Sequence, residues 1–220
     1  MKPYYDEAGI MIFNADSREW LASVPPCLRV DLLLTDPPYG TNRVFGNHVQ
    51  KPKQKDGHLW ETDWGKMQGD DGTCDPTIFF PRAKDKIVWG ANWFCNALSP
   101  RNVWLVWEKG IPEDWGASDC ELAWTSLPGG GVRMKSILWH GFARETEIRQ
   151  HFHPTQKPVA LMKWCLEQIP GGTVLDPFMG SGTTLRAAKD LGRRAIGIEI
   201  YEPYCEIAAK RLSQKIFQFS

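Results

Sequence analysis

The stretch from Thr173 to Glu199 constrains the fold more than any other. Thr173-Val174-Leu175-Asp176 reads as a buried strand, Pro177 to Gly182 as a glycine turn, and Thr183 to Leu191 as a helix through Leu185, Ala187 and Ala188. Leu191-Gly192 ends that helix, and Arg194 to Glu199 reads as the next strand. Strands alternating with helices imply a mostly parallel sheet covered on both faces. Gly180 and Gly182 let a ligand approach the backbone, and the helix start offers unpaired N–H groups. Glu199 follows the turn by roughly 20 residues, the spacing at which dinucleotide-binding folds place an acid on ribose hydroxyls. The block suits a nucleotide-like cofactor, although the glycine pattern is not G-x-G-x-x-G and lacks the lysine of a phosphate loop. Neither NAD nor ATP is favoured, and for the glycines alone a plain turn is the alternative.

A second block is Asp36-Pro37-Pro38-Tyr39, directly after the apolar run Val30 to Thr35. Two prolines hold the carbonyls of Asp36 and Pro37 in set directions outside a strand ladder. A carboxylate, a fixed carbonyl and an aromatic face together suit a planar aromatic amine, which offers two N–H donors and a face for stacking. The bland reading is a strand followed by a proline turn. A third block, His153-Pro154-Thr155-Gln156-Lys157-Pro158, precedes the periodic stretch Val159, Leu161, Met162, Trp164, Cys165, Leu166. It carries ordinary helix-start signals, and Lys157 is also suited to holding a carboxylate.

These three blocks, in their order along the chain with the tetrapeptide first and the other two near the C-terminus, resemble the β-class amino DNA methyltransferases, S-adenosylmethionine enzymes that methylate adenine N6 or cytosine N4. Weaker similarities lie at Trp89 to Phe94, Val103 to Lys109 and Ser118 to Thr125, and the likeness covers most of residues 8–40 and 85–215. It implies a Rossmann-like class I methyltransferase fold: α/β, a mostly parallel seven-stranded sheet with one antiparallel strand, helices on both faces, and circularly permuted motif order. It implies catalysis at Asp36, Pro37, Pro38 and Tyr39. Asp176, Phe178, Gly180, Gly182 and Thr183 are expected around the methionine and adenosyl parts of the cofactor, with Glu199 on the ribose. Thr155, Gln156 and Lys157 are expected near the methionine end, beside Asp36. Asn14-Ala15-Asp16 resembles a segment that contacts the cofactor adenine, while Asp16 is equally suited to be the N-cap of the next helix. Aspartate at the head of the tetrapeptide is usual among adenine enzymes of the family, and serine is commoner among cytosine ones. Adenine N6 is therefore expected, with N4 of cytosine the alternative and S-adenosylhomocysteine the product.

Composition fits a single catalytic domain over residues 1–220: the chain is 42% hydrophobic and no apolar run reaches membrane-spanning length. A cytoplasmic enzyme of prokaryotic or phage type, monomer or homodimer, is expected. The six cysteines lack metal-ligand spacing, so no metal is expected. With zero net charge, DNA contact must be local. Arg43, His48, Lys51, Lys53 and Lys55 form an acid-free run broken by Gly46 and Pro52. It reads as a mobile loop able to follow the phosphates of double-stranded DNA, with a plain solvated loop as the alternative. Residues 140–152 leave almost no room for a target-recognition insertion, so recognition is expected within 41–75, with 110–118, 126–135 or a second subunit as further candidates. Periodicity places strands at Ile10–Phe13, Asp31–Thr35, Lys86–Trp89, Asn102–Trp107, Ser136–Trp139, Thr173–Asp176 and Arg194–Glu199. Helices are expected over Arg18–Val24, Asn92–Leu98, Val159–Ile169, Thr183–Leu191 and Glu202–Ile216. The main rival from another class is a catalytically silent nucleic-acid-binding subunit of the same fold, against which the intact motifs argue. A glutamine methyltransferase is opposed by Asp36 and by the motif order; RNA as substrate shares the same amine chemistry.

Overall fold

The computed structural model describes residues 1–41, 44–45, 65–66, 72, 74–111, 118–140, 143–144, 147 and 156–213. In chain order the strands are β1 (Tyr5–Glu7), β2 (Ile10–Asn14), β3 (Val30–Thr35), β4 (Val44–Phe45), β5 (Gly65–Lys66), β6 (Ala83–Trp89) and β7 (Trp104–Glu108). They continue with β8 (Cys120–Thr125), β9 (Arg133–Ser136), β10 (Trp139–His140), β11 (Ala143–Arg144), β12 (Thr173–Asp176) and β13 (Arg194–Glu199). The helices are α1 (Ser17–Ser23), α2 (Val159–Glu167), α3 (Thr183–Asp190) and α4 (Glu202–Ser213).

Nine strands form one sheet in the order β1-β2-β13-β12-β3-β6-β8-β7-β9. From β2 to β6 every pairing is parallel, and β8 runs antiparallel to both β6 and β7. The seven strands from β2 to β7 are thus the expected sheet with one reversed member, and β1 and β9 extend its two edges. The side-chain period of two sends alternate residues to opposite faces, and both faces are buried. Leu32, Leu34, Ile10, Ile12 and Val174 pack with Leu161, Cys165, Leu185, Ala188 and Ala208 of α2, α3 and α4. Leu33, Leu175, Ile196 and Ile198 pack on the other side with Trp20 of α1 and with Phe79.

Several expectations need correction. Asn92–Leu98 is not an α-helix: a short 3-10 turn spans Ala91–Trp93, where the exposed Trp93 stacks on Tyr39 and the buried Phe94 that follows packs against the same ring. Ser136–Trp139 is not one strand, because β9 ends at Ser136 and β10 begins at Trp139. Three strands of the main sheet were not anticipated. β1 is short and polar, and joins β2 through Ala8-Gly9, both at positive φ, the geometry that suits a two-residue hairpin. β9 is an exposed edge, and β8 begins with the polar pair Cys120-Glu121. α4 is described to Ser213; residues 214–216 of the expected helix lie outside the described residues.

Parallel strands leave their carboxyl ends on one rim, so Asn14, Asp36, Trp89, Glu108, Asp176 and Glu199 share it. The reversed β8 brings its beginning there instead, with Glu121 opposite Trp107. Successive strands run outward in opposite directions from the β12/β3 junction, the switch point where such sheets bind ligands.

Candidate active site

β3 and β12 pair directly at that junction, with Leu33 beside Leu175. Thr35 at the end of β3 donates from Oγ1 to Asp176 Oδ1 at 3.0 Å, and Asp36 follows. The tetrapeptide and the glycine turn are therefore adjacent. Asp36 accepts hydrogen bonds from the Tyr39 hydroxyl at Oδ1 and from the Lys157 ammonium at Oδ2. Pro37 is buried behind them. Burial, followed by the Asp36 carboxylate, holds the Tyr39 phenol well above its usual range, so it remains a donor.

The Tyr39 ring is held by the segment after β6. It stacks on Trp93 with centroids 5.7 Å apart and planes 10° apart, and tilts against Phe94 at 6.1 Å. Gly90, at φ +65°, lies against the ring; a Cβ there would sit 2.2 Å from Tyr39 Cε1. Only glycine fits both that conformation and that space.

Lys157 is 8% exposed, and its ammonium also lies 3.1 Å from Glu121 Oε2. Glu121 in turn pairs with Lys109 at 2.7 Å. Burial alone would lower the pKa of Lys157, but the carboxylates of Asp36 and Glu121 outweigh it and raise it. Burial works against the Glu121 carboxylate too, yet Lys157 and Lys109 bring it down to about 2.

Two further acids stand at the same rim. Asp176 is buried, which pushes its carboxyl up to about 6 despite hydrogen bonds from Thr184, the Phe178 N–H and Thr35. Burial pushes Glu199 up to about 7, while its oxygens accept from Tyr201 N at 2.8 Å and Gly180 N at 3.1 Å. Both accept hydrogen bonds from hydroxyl or backbone N–H groups, so each acid suits a ligand bringing an ammonium or hydroxyls. Gly180 and Gly182 have φ of +51° and +79°. Gly182 also makes room for α4: a Cβ there would lie 2.7 Å from Ala208 Cβ. Phe178 meets Phe79 edge-on at 5.7 Å.

Thr183 opens α3 and accepts a 3.4 Å contact from Arg211, whose guanidinium also donates to Ser181 O at 2.7 Å. Arg211 Nη2 pairs with Glu147 Oε1 at 3.0 Å. Glu147 also accepts from Gln156 at 3.1 Å and from Val159 N at 2.7 Å. Gln156 and Lys157 thus stand beside the glycine turn and the tetrapeptide, one tied to Glu147 and the other to Asp36. Asp16 is the N-cap of α1, accepting from Arg18 N and Glu19 N; the Arg18 side chain holds its carboxyl below the usual range.

Thr155, Arg43, His48, Lys51, Lys53 and Lys55 lie outside the described residues. Within 41–75, Val44–Phe45 pairs antiparallel with Gly65–Lys66. Sequence reasoning gave no role to Glu121, Lys109, Trp93, Glu147 or Arg211, although the first three fall in the weakly similar segments. Among the described residues no cluster of His, Cys, Asp or Glu is set to hold a metal, and no helix is long and apolar enough to cross a membrane.

The family model for N6/N4 methylases, described as DNA methylase, matches residues 82–210. Type II methyltransferase M.ScaI of Streptomyces caespitosus is 25% identical over 96% of this chain and 84% of its own length. Type II methyltransferase M2.DpnII of Streptococcus pneumoniae is 26% identical over 96% of this chain and 92% of its own. The crystal structure of an M1.HpyAVI–SAM complex superposes with a TM-score of 0.56 at 24% identity, covering 92% of this chain and 99% of that one.

Proposed function

This chain belongs to the N6/N4 DNA methylase family, and from that premise we propose that it methylates the N6 amino group of adenine in double-stranded DNA. It is an S-adenosylmethionine-dependent methyltransferase of the amino-methylating class; the choice of base and the residue roles are our reading. One relationship carries the residue roles: Thr35, next to Asp36, is bonded to Asp176 at the start of the glycine turn, while the choice of adenine rests on aspartate standing first in the tetrapeptide. A carboxylate for the amine and a turn for the cofactor thereby stand side by side.

An exocyclic amine is a poor nucleophile because its lone pair is delocalised into the ring. Its two N–H groups donate to the Asp36 carboxylate and the Pro37 carbonyl, which draws the nitrogen toward tetrahedral geometry and localises the lone pair. Each carboxylate oxygen has two lone pairs, so Asp36 can accept the amine alongside Tyr39 and Lys157. S-adenosylmethionine, when bound, supplies a sulfonium methyl: the N–C bond forms as the C–S bond breaks, and the sulfur leaves as a neutral thioether. Asp36 stabilises the positive charge that develops on nitrogen and accepts the proton released afterwards. Tyr39, backed by Trp93, provides the platform for a base extruded from the duplex.

For the cofactor, Glu199 takes the ribose hydroxyls, while Asp176, Phe178, Gly180, Gly182 and Thr183 surround the methionine and adenosyl parts. Thr155, Gln156 and Lys157 approach the methionine end, and Asp16 the adenine. Residues 41–75, with Arg43, His48, Lys51, Lys53 and Lys55, follow the DNA phosphates and contribute to target recognition.

The test is expression in a methylation-deficient bacterium with genome-wide reading of modified bases. N6-methyladenine in a fixed short context is the expected result; N4-methylcytosine would move the target to cytosine, and unmodified DNA would overturn the reading. Asp36→Ala should retain cofactor binding and lose about 100- to 10,000-fold in transfer rate.

A further inference from the structure

We propose that Glu121 is a positioning residue for methyl transfer: it holds the Lys157 ammonium in place, and its charge preserves the negative field of Asp36 at the reacting nitrogen. The inference rests on Asp36 being the residue that receives the amine.

Asp36, Lys157, Glu121 and Lys109 form a chain of alternating charge drawn from the end of β3, the approach to α2, the start of β8 and the end of β7. Glu121 reaches this rim only because β8 runs against its neighbours. Lys157 bonded to Asp36 as an isolated pair would present almost no net charge to the amine, and the positive charge growing on nitrogen would gain little from it. Glu121 adds a negative charge behind Lys157, leaving the set of Asp36, Lys157 and Glu121 net negative. Lys109, on the far side of Glu121, balances the cluster as a whole. The Lys157 ammonium lies 3.1 Å from Glu121 Oε2, close enough for the full charge of the carboxylate to act on it.

The experiment uses the full chain, labelled S-adenosylmethionine and DNA from a methylation-deficient bacterium, with enzyme in excess so that a single turnover reports the chemical step. Glu121→Gln keeps the shape and removes the charge. It should slow transfer by about 10- to 100-fold, the range for a unit charge several ångströms away at an effective dielectric constant of about 20. The S-adenosylmethionine dissociation constant, which also reads the Lys157 contact with the methionine end, should change by less than the rate, which separates the two effects. Glu121→Asp should recover much of the rate. The double variant Glu121→Gln/Lys109→Met restores local charge balance and should remain slow. It decides the matter if Glu121→Gln alone folds poorly. The inference is overturned if the double variant regains the wild-type rate, since Glu121 would then serve only charge balance in the fold. It is also overturned if Glu121→Gln transfers at the wild-type rate while Asp36→Ala is inactive. An active Asp36→Ala would instead remove the functional reading and this inference with it.

Discussion

Thr35 Oγ1 and Asp176 Oδ1, 141 residues apart in sequence, are hydrogen-bonded at 3.0 Å inside the molecule. This single bond joins the strand that ends in the tetrapeptide to the strand that opens the glycine turn. Thr35→Val keeps the shape and deletes the donor, leaving a buried carboxyl one partner short. Stability should fall by about 1–3 kcal/mol. Urea unfolding would show a lower midpoint with an unchanged slope, and cofactor affinity should weaken with it.

Glu199 gives the fold a defined pH dependence. Its folded-state carboxyl is raised by burial to about 7, against about 4.3 in an exposed chain. Between those values the folded protein holds a proton that the unfolded chain has released, so stability falls as pH rises through the window. Asp176, raised to about 6, acts in the same sense at its lower end. Glu199→Gln removes the larger part. Thermal melts at about pH 5 and about pH 8 should show the variant gaining on the wild type at the higher pH; a constant difference would show that Glu199 does not titrate in this range.

Gly90→Ala probes the seat of Tyr39. A Cβ would stand 2.2 Å from Tyr39 Cε1, so the ring must shift and its hydroxyl must move relative to Asp36. A displacement of about an ångström at a reacting centre costs about 100-fold in rate. Cofactor binding should persist, because the affected groups face the base. Gly129→Ala is the control: it is also at positive φ, +108°, but nothing lies within 4 Å of its Cβ, so it should lose only backbone stability and keep its rate.

Arg211→Lys tests the tie between the glycine turn and the segment leading into α2. The guanidinium reaches Ser181, Thr183 and Glu147 at once, which a single ammonium cannot reproduce. A loss of about 2–4 kcal/mol is expected, since a buried pair is disrupted on one side. In a double-mutant cycle with Glu147→Gln, the two losses should be strongly non-additive.

Much of this was legible in sequence because the strands leading to Asp36, Asp176 and Glu199 are largely buried and read as short apolar runs followed by an acid. Other parts were hidden for physical reasons. β8 starts at the polar rim, so Cys120-Glu121 disguises a central strand, and its reversal cannot be read from local pattern. The spacing of Trp93, Phe94 and Leu98 imitates a helix, but these side chains answer to Tyr39 and to the sheet. The sequence suits Lys157 to holding a carboxylate, and it pairs with Asp36, yet its second partner Glu121 comes from a distant strand, a pairing that only the folded topology defines. Asp16 suits both a helix cap and a cofactor contact in sequence, and in the structure it caps α1.

The order β2-β13-β12-β3 has a consequence for how the molecule is made. The first two long strands to leave the ribosome are not neighbours; both wait for a pair synthesised about 140 residues later to be inserted between them. Until then two apolar edges stand open to pairing with other chains. Nascent chains halted before Thr173 should therefore be prime clients of chaperones, and the completed protein should gain its solubility and its crevice in the same late step.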